Sequence, residues 1–153
     1  MSITLRQLCA SDNYRYGLHM VAGEEGLDKI VQWVHTLEDE EVGDFLHGGE
    51  LIFTTGIGHR NMEILEWLLP LINKLKENDA SGIVINTGPY IKKIPDEVIQ
   101  FGNEFGFPIF TMPWEVHVVD VTRDFCSQII EMDKREDNIG NILQNVIFYP
   151  GDL

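Results

Sequence analysis

The sequence predicts an α/β fold, a mainly parallel β-sheet of about five strands flanked by helices on both faces. Short segments rich in β-branched and aromatic residues alternate with segments of helical periodicity, which is typical of β-α-β units. The run Gly82–Asn86 is almost wholly apolar, as expected of a parallel strand that is covered on both faces. The chain has 153 residues, of which 44% are hydrophobic, and this is enough for one domain with a sizeable core.

The elements are delimited along the chain by Gly, Pro and polar residues. The predicted strands are Leu18–Ala22, Ile30–Leu37, Glu50–Thr55, Gly82–Asn86 and Phe107–Met112. The predicted helices are Thr4–Cys9, Val42–Leu46, Asn61–Lys76, a helix that opens at Pro95 and ends at Gly106, and Val116–Lys134.

Three residues predict local details of these helices. Asn61 is placed to cap the helix that follows it, because its side chain can accept a backbone hydrogen bond. Pro70 lies inside the same helix, so we expect a kink or a break there. Gly106 is expected to end its helix, since glycine readily adopts the left-handed conformation of a C-terminal cap.

The charge balance excludes one class of partner. The chain has 25 acidic against 11 basic residues, a formal net charge of -14. Such a chain repels phosphate backbones, and the densest basic group is only Lys92–Lys93, so we expect no direct binding to nucleic acid. The N-terminus lacks the apolar run of a signal peptide, and no apolar stretch reaches membrane-spanning length. Cys9 and Cys126 are expected to be buried thiols outside any disulfide, which suits a soluble cytoplasmic protein.

The candidate ligand site lies where the predicted strands end. In open parallel sheets, ligands bind at the carboxyl ends of strands. There the sequence places hydrogen-bonding side chains, glycines and an aromatic ring that can stack on a planar ligand. The predicted ligand-binding residues are Glu38, Thr54, Thr55, Gly56, Asn86, Thr87, Gly88 and Trp114. An alternative stays open, because strand-to-helix turns collect such residues without binding anything.

Neither a catalytic centre nor a resident cofactor is expected. Thr54–His59 is glycine-rich but lacks the spacing of a dinucleotide or phosphate-binding loop. The five histidines have no metal-site spacing, so no metal is expected. His117 lies near Glu115 and Asp120, but these carboxylates also suit a solvated helix start. We therefore interpret the chain as a protein that is not an enzyme.

Three blocks of sequence resemble the N-terminal domain of purine-catabolism (PucR-type) regulatory proteins. They are Val31–Asp39 with Phe45–Gly56, Ala80–Ile85 with Pro95–Glu97, and Phe105–Ile109 with Met112–Pro113. The string Gly48-Gly49-Glu50-Leu51, followed by Thr54-Thr55-Gly56, is the most specific part. The resemblance covers roughly residues 3–131. His47 and Phe53 stand where members often have Arg and Leu.

The resemblance implies an N-terminal effector-sensing domain of a transcriptional regulator. It implies a small-molecule effector, a purine or a ureide, and a downstream helix-turn-helix region that binds DNA. We expect residues 1–134 to form the sensory domain and residues 135–153 to start the connection to later domains. The apolar residues after Asn138 favour an alternative, a protein-interaction module that forms a homodimer without binding a metabolite.

Overall fold

The computed structural model describes residues 2–10, 13–39, 46–59 and 61–148. Its strands are β1 (His19–Ala22), β2 (Trp33–Thr36), β3 (Glu50–Thr54), β4 (Gly82–Thr87) and β5 (Ile109–Pro113). Its α-helices are α1 (Asn13–Tyr16), α2 (Ile64–Glu77), α3 (Asp96–Phe105) and α4 (Val118–Phe148). Shorter turns are a π-helical turn at Arg6–Ala10 and 3₁₀ turns at Glu24–Gly26 and Ile57–His59.

The five strands form one sheet in the order β1-β5-β4-β3-β2. Strands β2 to β5 are parallel to their neighbours, and β1 pairs antiparallel with β5. The α/β prediction is therefore confirmed, with an antiparallel strand at one edge. The four parallel strands β2 to β5 all end on the same side of the sheet, and we call this row of carboxyl ends the rim.

Alternation along the central strands sends side chains to two hydrophobic layers. Phe53 and Val84 face a layer that includes Phe125 of α4, whereas Ile52 and Ile83 face the layer that contains α2 and α3. Phe125 lies within the first layer. Its ring packs edge-on against the rings of Tyr16 and Phe53, with distances between ring centroids of 5.9 Å and 6.1 Å. Helices thus cover both faces, as the sequence predicted.

The structure confirms some of the local predictions for the helices and contradicts others. The predicted cap at Asn61 is wrong, because α2 begins at Ile64 with Glu63 at the N-cap. The helix also runs unbroken through Pro70, so the alternative of a break is wrong. Gly106 does end α3, in the left-handed conformation with φ 63°. The last helix is longer than predicted, since it continues past Lys134 to Phe148.

Other predictions concern the connecting segments and the cysteines. Residues 42–45 of the predicted helix at Val42–Leu46 lie outside the described residues, and Leu46 is not helical. Cys9 is buried as expected, whereas Cys126 is only partly buried. Among the described residues, no helix is both long and apolar enough to cross a bilayer.

Candidate functional site

The predicted site residues lie at the rim or in the segments that follow it. Register aligns Thr54 of β3 with Ile85 of β4, and Thr87 of β4 with Pro113 of β5. The segments that follow these strands are therefore neighbours in space. Glu38 follows β2, and Trp114 is the first residue after β5.

Glu38 is held by the loop that follows β3. Its Oε1 accepts hydrogen bonds from Thr54 Oγ1 at 2.7 Å and from the backbone N–H of Thr55 at 2.6 Å. Its Oε2 accepts from Thr55 Oγ1 at 2.8 Å and from the N–H of Ile57 at 3.1 Å. We call this arrangement the Glu38 clamp. It joins the ends of β2 and β3 and commits both carboxylate oxygens to the protein itself.

Glycines allow this loop to pack closely. Gly56 has φ 85°, a left-handed conformation that costs glycine little and other residues much more. A Cβ at Gly58 would collide with the backbone carbonyl oxygen of Glu38. The glycine-rich segment Thr54–His59 is thus shaped by contacts with the end of β2.

Asn86 fastens the ends of β4 and β5 to the turn before α4. Its side chain is buried, and its Nδ2 donates to the carbonyl oxygens of Met112 at 3.3 Å and Pro113 at 2.8 Å. A longer contact of 3.5 Å reaches the carbonyl oxygen of Val116. Thr87 Oγ1 donates to the same Met112 carbonyl at 3.4 Å. These bonds fix the turn from which α4 starts.

Trp114 rests on Gly88 and remains accessible. A Cβ at Gly88 would lie 2.6 Å from the Trp114 ring, so only glycine lets the indole approach this closely. Tyr90 lies edge-on to the same ring at 5.9 Å between centroids. Trp114 nevertheless keeps 40% of its surface exposed. The backbone at Gly88 thus supports an exposed aromatic surface at the rim.

An open groove of about 460 Å³ connects part of this set. It is lined by Thr55, Asn86, Trp114, Glu115, Val116, His117, Val118 and Val119. Three predicted residues therefore share one groove. We call it the rim groove. Its volume is in the range of sites that hold small molecules.

The remaining predicted residues lie outside the groove lining. Glu38 lines a separate hollow of about 480 Å³ with Asp39, Ile57, Gly58, Met62, Glu66 and Trp67. Thr54 is fully buried behind the clamp. Gly56, Thr87 and Gly88 shape the loops around the groove.

The sequence reasoning did not select the start of α4. The segment 115–119 forms a large share of the groove wall, and Glu115 and His117 are both exposed in it. The signal that points to them is the turn after β5, because Pro113 ends a strand directly before the last helix. Tyr90 was also missed, since an isolated tyrosine in a loop has no distinctive pattern.

Two shifted ionisations lie away from the groove. Burial lowers the pKa of Lys29, and the nearby Asp79 carboxylate opposes that effect. Lys29 also lies 5.4 Å from the ring centroid of Phe107, at the amino-terminal edge of the sheet. Burial raises the pKa of the Cys126 thiol, which a hydrogen bond to the backbone of Val34 counteracts.

The sequence matches the purine catabolism regulatory protein-like family over residues 7–129. The chain belongs to this family. The match contains every predicted site residue, the rim groove and the first part of α4. Membership of the purine catabolism regulatory protein-like family places the chain among regulatory proteins.

A curated relative is the purine catabolism regulatory protein of Bacillus subtilis (strain 168). The two sequences are 29% identical over 118 residues, which cover 77% of this chain and 22% of that protein. The chain thus spans about a fifth of the length of this family relative. The family resemblance inferred from the Gly48–Gly56 segment is confirmed.

Proposed function

We propose that this chain is an effector-sensing regulatory domain that binds a small planar metabolite in the rim groove. The observation that supports this most is the position of the groove. An exposed tryptophan face and polar side chains meet there beside the first turn of α4, the helix by which the chain leaves the sheet. A ligand in the groove would therefore contact both the sheet and the element that leads away from it.

The proposed signal passes through α4. A ligand changes a protein's state only when it binds two arrangements with different affinity. Here the two arrangements would differ in how the segment Trp114–Val119 seats against Asn86 and Thr55. Because α4 is one continuous helix from Val118 to Phe148, a small change at its start is transmitted along its axis.

The name of the relative indicates that the relative regulates purine catabolism. We propose a purine-degradation metabolite, a purine or a ureide, as the effector. We also propose that residues 1–134 form the sensory domain and residues 135–153 start the connection to a DNA-binding helix-turn-helix region. The strong negative charge of this chain supports the proposal that DNA is contacted by that region and not by the sensory domain.

A thermal-shift screen with purines and ureides tests this function. A ligand at a hundredfold excess over its Kd stabilises a protein by about 2.7 kcal/mol, which corresponds to a rise in Tm of about 5–11 °C for a chain of this size. Replacement of Trp114 by leucine should abolish the shift. Trp33→Phe is the matched control, because Trp33 is similarly exposed but lies at the start of β2. Absence of stabilisation across the panel at millimolar concentration would count against sensing.

The length of α4 favours a second candidate, a dimerisation module. Ile129 and Met132 of α4 pack against the core, and the helix continues to Phe148. These sixteen further residues extend about 24 Å at 1.5 Å per residue. In the sequence they place Ile139, Ile142, Leu143 and Val146 at helical spacing. Such a pattern is typical of a helix that pairs with another helix.

Light scattering distinguishes the second candidate. The chain with and without Asn138–Leu153 should differ in mass if this stretch dimerises, with the full chain at twice the mass of a monomer. If both forms are monomeric at high concentration, self-association through this stretch is excluded. If sensing resides in the rim groove, the truncated chain should still be stabilised by the ligand.

A further inference from the structure

The orientation of the Asn86 amide is fixed by its partners. Its Nδ2 lies near three backbone carbonyl oxygens, those of Met112, Pro113 and Val116. Carbonyl oxygens only accept hydrogen bonds, so the NH₂ group must be the one that faces them. The Oδ1 atom therefore points away from this cluster of carbonyls.

This Oδ1 atom is an acceptor that the described protein leaves unused. Within residues 2–10, 13–39, 46–59 and 61–148, no group donates a hydrogen bond to it. In the same residues, no fully buried polar side-chain atom lacks a partner. The Oδ1 atom must therefore be accessible, although Asn86 as a whole is only 4% exposed. Asn86 lines the rim groove, so the groove is the space from which this acceptor is reached.

Two further groups next to Asn86 accept hydrogen bonds. The Thr55 hydroxyl gives its hydrogen to Glu38 Oε2, so its oxygen can only accept from a ligand. Glu115 adds a carboxylate, and the chain is strongly acidic overall. His117 also lines the groove, and its ring has both a donor and an acceptor nitrogen when it is neutral. The side of the groove formed by Asn86, Thr55 and Glu115 therefore disfavours anions and favours a ligand that donates.

Trp114 and the start of α4 indicate further features of the ligand. The exposed indole of Trp114 favours a flat molecule that stacks on it. Val118 and Val119 are the first residues of α4, and backbone N–H groups at a helix start have no acceptor within the helix. A ligand carbonyl that reached the start of α4 would meet these donors.

We infer that the rim groove recognises a planar amide-type ligand without negative charge, whose N–H group donates to Asn86 Oδ1 while its flat face stacks on Trp114. This inference rests on the proposed sensing function and specifies the chemistry of its ligand. It also excludes Glu38 and Thr54 from direct contact, because the clamp uses their hydrogen-bonding groups.

Three small probes that share a planar benzoyl group test the inference. Benzamide carries N–H donors, methyl benzoate is a neutral ester without a donor, and benzoate is an anion of similar size. Binding is followed by two-dimensional NMR of the full chain, through the side-chain amide signals of Asn86 and the indole signal of Trp114. We expect benzamide to shift both signals and the other two probes to bind about tenfold more weakly, since neither donates a hydrogen bond to Asn86 Oδ1.

The outcomes separate this inference from the proposed function. Equal binding by methyl benzoate or benzoate, or no shift of these signals with benzamide, overturns the amide inference. The sensing function itself fails only if the purine and ureide panel also gives no stabilisation. Because Asn86→Asp removes the donor that holds three carbonyls and risks unfolding the rim, the comparison of probes on the unaltered chain decides the matter. Trp114→Leu should weaken benzamide binding about tenfold or more, whereas Trp33→Phe should leave it unchanged.

Discussion

Replacement of Glu38 by glutamine should destabilise the fold more than the loss of one surface charge can explain. Each carboxylate oxygen accepts two hydrogen bonds, and each pair includes one backbone N–H, from Thr55 or from Ile57. A glutamine amide has only one oxygen. In either orientation its NH₂ group therefore faces a backbone N–H, and two donors meet.

The magnitude follows from these bonds. A buried donor left without an acceptor costs about 1–3 kcal/mol, and hydrogen bonds to a neutral oxygen are weaker than those to a carboxylate by about 1 kcal/mol. Glu38 is only partly buried, so water offsets some of this loss. We expect Glu38→Gln to lower the free energy of unfolding by about 2–3 kcal/mol, which corresponds to about 4–12 °C in Tm for a chain of this size.

Urea denaturation and calorimetry measure the effect, with Glu104→Gln as the matched control. Glu104 is an exposed residue of α3, and its replacement removes the same charge from a chain whose net charge is -14. We expect this control to change stability by no more than about 0.5 kcal/mol. If Glu38→Gln proves as stable as Glu104→Gln, the four bonds of the clamp are not a significant stabilising feature.

Three further substitutions and one chemical modification test the packing. Gly88→Ala should displace the Trp114 ring and cost about 1–3 kcal/mol, visible as a red shift in tryptophan emission. Phe125→Ala should cost about 3–5 kcal/mol in urea denaturation, because it leaves a cavity in the layer under α4. Pro70→Ala should raise the Tm, since an interior proline costs a helix up to about 3 kcal/mol. Because burial raises the pKa of Cys126, its alkylation should be slower than that of the unfolded chain, and the stability linked to this thiol should be lost as pH rises from its ordinary pKa through the raised pKa of the folded state.

The architecture was predictable because alternating patterns dominate this chain. The apolar run at β4 and the glycine that ends α3 each indicate one structure only. The start of α2 was not predictable in the same way. Asn61 is a better capping residue than Glu63 in isolation, yet the turn at Ile57–His59 and the residues after it place the first helical residue at Ile64. Tertiary placement of the preceding loop outweighs local capping preference here.

The candidate site was predictable in position but not in detail. Sequence reasoning located the rim from strand ends, and it proposed that Glu38 and Thr54 contact a ligand. It could not foresee that these two side chains bond to each other, because they are sixteen residues apart and meet only when β2 and β3 pair. A side chain that looks available in sequence is thus committed to the fold, while Asn86 keeps one acceptor that only its geometry reveals.

The same asparagine joins the proposed binding site to the start of α4. Its amide nitrogen is bonded to the carbonyls of Met112 and Pro113 at the end of β5, and it lies 3.5 Å from that of Val116 just before α4. A ligand that bonds to Oδ1 therefore polarises and restrains the same amide group that holds the start of α4. Ligand binding and the seating of α4 are then linked through a single side chain, and linkage of this kind is reciprocal. A partner or a second copy that fixes the far end of α4 should accordingly change the affinity of the rim groove, even though it touches none of the groove's residues.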